Sequence, residues 1–193
     1  MGETIMSRMK QSALAVLVVL SMAIMSGNAM ALGLEYYGVE VTINDDLSVH
    51  NSIVLQFDSP VNHLDYSLDF DIDNLEYEAD FDFAECSVIG GRTISCDFIG
   101  INEENNLVTF EFDTSNVIRK TGDNYRFIVN YGIPLPIETS FILIRLPQNN
   151  ILAGEASESY APASGATLTD GRRIMVFNAQ FRQSLLFAVV TDR

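Results

Sequence analysis

The chain has 193 residues, 48% of them apolar, and a formal net charge of -15 at pH 7. The apolar fraction supports one well-buried domain and argues against intrinsic disorder. The charge points away from nucleic acid, which needs clustered Lys and Arg, and away from anionic lipid headgroups.

The N-terminus reads as an export signal. A short cationic region, "MSRMK", precedes an apolar run from Ala13 to Met25, and "NAMA" places small residues at Ala29 and Ala31, a cleavage pattern that would leave Leu32 first. Two other readings stay open. Weaker apolar character continues to Leu34, enough for a membrane anchor of ~20 residues. A pilin-type leader also fits the helix opening, although Lys10 stands where a small residue is expected. All three place the chain from residue 35 onward outside the cytoplasm.

After the leader, alternation of period two recurs and helical periodicity does not. "YYGVEVTI" and "LSVHNSIVLQF" flank Asn44-Asp45-Asp46 and predict a hairpin. Its inward residues would be Tyr37, Val39, Val41, Ile43 and Val49, Ile53, Leu55, Phe57, with a parity slip near His50 or Asn51 suggesting a bulge.

Next comes a stretch, Leu64 to Glu85, with nine carboxylates and no Lys or Arg. It sits in an acidic half: no basic residue lies between Lys10 and Arg92. Leu68, Phe70 and Ile72 alternate with Asp69, Asp71 and Asp73; after Asn74 the phase shifts, and Leu75, Tyr77, Ala79, Phe81 and Phe83 alternate with Glu76, Glu78, Asp80 and Asp82. Residues two apart in a strand share a face, so each half predicts one oily and one anionic side. The anionic side is read as the wet face of an antiparallel sheet. Asp69, Asp71, Asp73, Glu78, Asp80 and Asp82 are the candidates for meeting a cationic partner, with loose divalent-cation binding as a weaker alternative. A calcium loop of the alternating-acid kind is not matched, because Phe70 and Ile72 interrupt it and its glycine turn is missing. No metal ligand set is therefore named, and calcium is the one cofactor considered.

Cys86 and Cys96 are the two cysteines, and Gly90-Gly91 between them signals a turn, so a cross-strand disulfide is predicted. Further strand-like runs are "LVTFEFDT", "NYRFIVNYGI", "TSFILIRLP", "RRIMVFNAQ" and "SLLFAVVT", with a single helical turn placed over Thr114 to Gly122. Pro147 to Gly171 is rich in Ser, Ala, Gly, Asn and Pro and reads as a long loop, with Tyr160 as its candidate contact residue. Arg172 and Arg173 are available to pair with the acidic half.

Little looks like chemistry. His50 and His63 are the only histidines and sit in no ligand pattern; hydrolase elbow, zinc-protease and phosphate-loop motifs do not occur; there is no Trp for sugar stacking. No catalytic residue is assigned, and no enzyme is expected.

The segments "EVTINDDLSVHNSIVLQF", "VTFEFDTSNVI", "FIVNYGIPLPIETSFILIRLPQNNIL" and "YAPASGATLTDGRRIMVFNAQ" resemble the extracellular β-domain of uncharacterised archaeal surface proteins. The resemblance implies an exported β-sandwich, in some members followed by a membrane helix and a winged-helix regulator, and it supplies no catalytic residues. Together these readings predict residues 1–31 as signal peptide or anchor helix, and 32–193 as one all-β domain. That domain would be an immunoglobulin-like sandwich of about ten antiparallel strands with a long loop over 147–171. The expected role is a non-enzymatic cell-envelope module, secreted or on the cell surface, binding a protein or surface partner. The alternatives are a calcium-stabilised surface-layer or filament subunit and a truncated sensor ectodomain.

Overall fold

A computed structural model of the chain describes residues 32–152, 164–167, 172–177 and 184–189. The predicted leader, 1–31, lies outside them. Every regular element among the described residues is a strand.

The first hairpin forms as its alternation dictates. β1 (Leu34–Ile43) and β2 (Val49–Phe57) pair antiparallel, with Ile43 opposite Val49. In the turn, the Asp46 carboxylate accepts from the Ser48 backbone N–H and hydroxyl, and Leu47 takes a positive φ of 68°. All eight predicted inward side chains are buried, each contributing about 1.5–3 kcal/mol on leaving water. The parity slip does not occur. Asn51 keeps the inward phase and is buried, because its polar atoms are bonded within the core. The irregularity lies on β1 instead, between Leu34 and Tyr36.

The acidic stretch is three strands, not two. β3 (His63–Ser67) ends before the first Asp run, β4 is Asp73–Ala79, and β5 is Phe83–Ile89. Leu68, Phe70 and Ile72 point into the core as predicted, although 68–72 belongs to no ladder. Tyr77 and Phe83, predicted to face inward, are exposed. β4 borders its sheet and β5 borders another, so neither packs a full oily face inward.

β6 (Thr93–Ile99) completes the cysteine hairpin with β5. Gly90 and Gly91 both adopt positive φ, 60° and 75°, which a Cβ disfavours. Cys86 and Cys96 are directly opposed, their Cα atoms 4.1 Å apart, and are joined.

β7 (Leu107–Thr114) follows, then β8 (Ile118–Thr121) and β9 (Asn124–Ile128), an antiparallel pair where a helical turn was predicted. Ile118 is too short an apolar signal to reveal its period; the partner strand β9 decides it. β10 (Ile137–Arg145) precedes β11 (Asn150–Leu152), β12 (Ser164–Thr167), β13 (Arg173–Phe177) and β14 (Ser184–Val189). β11 and β12 fall within the predicted long loop.

Three sheets result. Seven strands run in the order β12-β13-β10-β1-β2-β7-β4, four as β11-β14-β9-β8 and three as β3-β6-β5. Their buried side chains form one shared cluster, a sandwich-like layering of β-sheets. Fourteen described strands replace the ten expected, and β1 pairs parallel with β10 where every pair was expected antiparallel.

A hydrogen-bonded tyrosine network ties the layers together. Tyr37 on β1 donates to the backbone carbonyl of Tyr131 and accepts from the Tyr66 hydroxyl on β3, at 2.8 Å. The Tyr131 hydroxyl donates to Asn51 Oδ1 at 2.5 Å, and Asn51 Nδ2 donates to the Phe112 carbonyl at 3.3 Å. All are buried. Burial pushes the three phenols above their ordinary range, so they act as neutral donors.

Candidate functional site

Two halves of the fold meet around the β3–β4 connection. Phe70 plugs into the core, its ring 5.5 Å from Tyr131 and 6.5 Å from Phe112. Because Phe70 points in, Asp69 and Asp71 on either side point out. The connection is bolted to the cysteine hairpin by two backbone bonds, Leu68 N–H to the Arg92 carbonyl at 2.9 Å and Ile72 N–H to that of Gly91 at 2.8 Å. Thr114 Oγ1 donates to the Asp71 carbonyl at 2.6 Å and fixes the same segment from β7.

These attachments frame an open cleft of about 270 Å³. Asp69, Asp71 and Arg92 line it, together with Arg119 on β8. Val117 and Ile128 give it an apolar lining. Asp69 Oδ1 accepts the Asn130 N–H at 3.1 Å, and Asp71 Oδ1 accepts Arg92 Nε at 2.7 Å. The Asp71 carboxylate holds the Arg92 guanidinium still more firmly protonated. Asn116, in the β7–β8 turn, adopts φ 62°, a conformation Asn tolerates better than most residues. The Arg119 backbone pairs with Arg126 of β9, while its side chain has no ion pair or hydrogen bond among the described residues.

The remaining predicted partner residues are dispersed. Asp73 begins β4 and receives a 3.4 Å bond from Ser115 Oγ. Asp80 follows its other end and accepts the Leu107 N–H at 2.8 Å, so the two stand about 20 Å apart along the strand. Glu78 faces solvent opposite Thr109, and Asp82 lies in the β4–β5 turn against Gly100. Tyr160 lies outside the described residues. The structure thus gathers Asp69 and Asp71 and gives Asp69 and Asp80 backbone amides to hold. No group of three or more His, Cys, Asp or Glu suited to a metal occurs among the described residues. His50 pairs with Asp113 at 3.0 Å; His63 pairs with Asp97 at 2.8 Å and Asp65 at 3.2 Å. Arg172 lies 3.7 Å from Asp45. In the sequence Arg92 stands out only as the end of the stretch without bases, and nothing sets Arg119 apart.

No protein-family model and no curated protein matches the chain. Solved structures do. Leukotriene A4 hydrolase from Saccharomyces cerevisiae is similar over 83% of this chain and 29% of its own, with a TM-score of 0.50 and 9% identity. A second structure of the yeast enzyme gives a TM-score of 0.50 at 10% identity over 86% of this chain and 30% of that one. An M1 zinc metallopeptidase from Deinococcus radiodurans is similar over 82% of this chain and 42% of its own, at a TM-score of 0.49 and 10% identity. The chain therefore spans well under half the length of these proteins, and what is shared is a fold. This likeness overturns the expected envelope module, together with its filament and sensor alternatives: the β-framework is one that a larger hydrolase carries.

Proposed function

We propose that the chain is a hydrolase-related β-domain, a framework that works beside a catalytic unit and shapes access to it. The observation that supports this reading is the likeness of fold to leukotriene A4 hydrolase over more than four-fifths of the chain. A rigid three-sheet scaffold suits such a role, because loops on packed sheets hold binding groups in place. The reading assigns bond cleavage to residues outside the described ones. Export is part of the same proposal: the Cys86–Cys96 bond favours an oxidising compartment, and the apolar leader would deliver the domain there.

Peptides are the substrates to try first. Extracts of cells that make the protein are assayed on peptidyl reporter substrates before and after antibody removal of the full chain. The reading expects the activity to fall with the chain and to return with the eluted complex. Undiminished activity after complete removal, with none in the eluate, refutes it.

A further inference from the structure

We infer that the cleft between the β3–β4 connection, the cysteine hairpin and the β8–β9 pair binds a small zwitterion with an apolar side chain, an amino acid of the leucine kind. The inference does not rest on the hydrolase reading, since it concerns binding and is tested without turnover.

The cleft presents both signs of charge. Asp69 uses one carboxylate oxygen for the Asn130 N–H, and Asp71 uses one for Arg92. A carboxylate accepts about four hydrogen bonds, so each retains capacity for an ammonium group. Arg119 offers a planar fork of donors with no acceptor among the described residues, the geometry that takes a carboxylate in a bidentate pair. Two aspartates and two arginines cancel. A ligand of single charge would therefore leave one sign of the lining uncompensated, whereas a zwitterion brings a complement for each.

Size and lining narrow the choice. A volume of about 270 Å³ falls just below the ~300–1,000 Å³ of drug-sized sites, so the ligand is small. Val117 and Ile128 also line the cleft, Val117 buried and Ile128 40% exposed. An aliphatic side chain resting there removes apolar surface from water on both partners. The site is also pre-formed: backbone bonds hold Leu68 to Arg92, Ile72 to Gly91 and Ile128 to Val117, at 2.8–3.0 Å. The backbone therefore needs little ordering on binding, and the cost that is left is fixing the Arg119 side chain.

The test is calorimetric titration of the full chain with L-leucine, with leucinamide, which lacks the carboxylate, and with N-acetyl-leucine, which lacks the ammonium. Leucine should bind at millimolar concentration or better, and each derivative about tenfold more weakly, as one charge-assisted contact disappears. Arg119→Gln should lower leucine affinity about tenfold and leave leucinamide unchanged. Asp69→Asn should weaken leucine and leave N-acetyl-leucine unchanged. Arg119 is an exposed strand residue, so its variant folds; thermal melts confirm that for both. No leucine binding at millimolar concentration, equal binding of leucine and leucinamide, or an Arg119→Gln variant that binds leucine normally overturns the assignment.

Discussion

Replacing Tyr37 with Phe removes one oxygen from the middle of the core and leaves the ring in place. That oxygen donates to the Tyr131 carbonyl and accepts from Tyr66. Both partners are buried, and neither can reach water once the hydroxyl is gone. Leaving a buried polar group unsatisfied costs about 1–3 kcal/mol, so the two together predict a loss of about 2–4 kcal/mol. For a domain of this size each kcal/mol moves Tm by about 2–4 °C, which gives a fall of about 4–16 °C. Tyr66→Phe should cost less, about 0.5–1.5 kcal/mol, because Tyr37 keeps its carbonyl partner and loses only an accepted bond. Tyr36→Phe is the control. Its ring covers Gly38 on the opposite side of β1 and makes no network bond, so it should stay within about 0.5 kcal/mol of the parent. Urea denaturation followed by near-ultraviolet dichroism reads all three. A Tyr37→Phe variant as stable as the parent, or one no less stable than Tyr66→Phe, would show that the network does not tie the layers.

Three further outcomes are expected. Cutting the Cys86–Cys96 crosslink with a Cys86→Ala/Cys96→Ala variant should lower stability by about 2–3 kcal/mol, as a bridge across so short a loop constrains the unfolded chain, and reducing agent should then have no additional effect in urea titrations. His63 is held above its ordinary value of 6.5 by hydrogen bonds to Asp97 and then Asp65; its stabilising contribution should be complete below pH 6.5 and vanish as pH rises through the folded-state value, so the parent and His63→Gln should converge in stability at alkaline pH and differ at acid pH. Asp113 behaves oppositely: the Asn74 amide, then His50, hold its carboxyl below the ordinary 3.8, so its contribution is present above that value and is lost as pH falls through the lowered one, and Asn74→Ala should raise the Asp113 midpoint in a carboxyl NMR titration.

Which residues face inward was legible along β1, β2 and 68–72 but not on β4 and β5, where Tyr77 and Phe83 are exposed, and which strands adjoin was not legible. Period-two alternation placed Tyr37, Val39 and Val41 in the core, and the inward set of Leu68, Phe70 and Ile72 held even though the segment joins no ladder. The turn glycines and cysteine spacing placed the disulfide. Alternation assigns a face, however, and names no partner. Nothing in "YYGVEVTI" announces that its far edge will take "IETSFILIR" in parallel. Asn51 broke the apparent parity because a polar residue was assumed to face water, while its bonds to Tyr131 and Phe112 are what make burial tolerable. The cleft was hidden for a similar reason. Asp69, Arg92, Arg119 and Ile128 come from four separate segments and meet only through the sheet order. The acidic run, so conspicuous in the sequence, proved largely to be a set of caps and surface pairs.

The parallel junction of β1 with β10 has a bearing on biogenesis. Leu34 must wait for Ile137, about a hundred residues later, before the middle of the largest sheet can close, and such distant pairing is slow. On an emerging nascent chain the first hairpin therefore offers a bare flank to its surroundings throughout that interval, while the cysteine crosslink, being local, can already be sealed. Premature termination anywhere before Ile137 should yield not a smaller domain but an adhesive stub, prone to pair with its own copies.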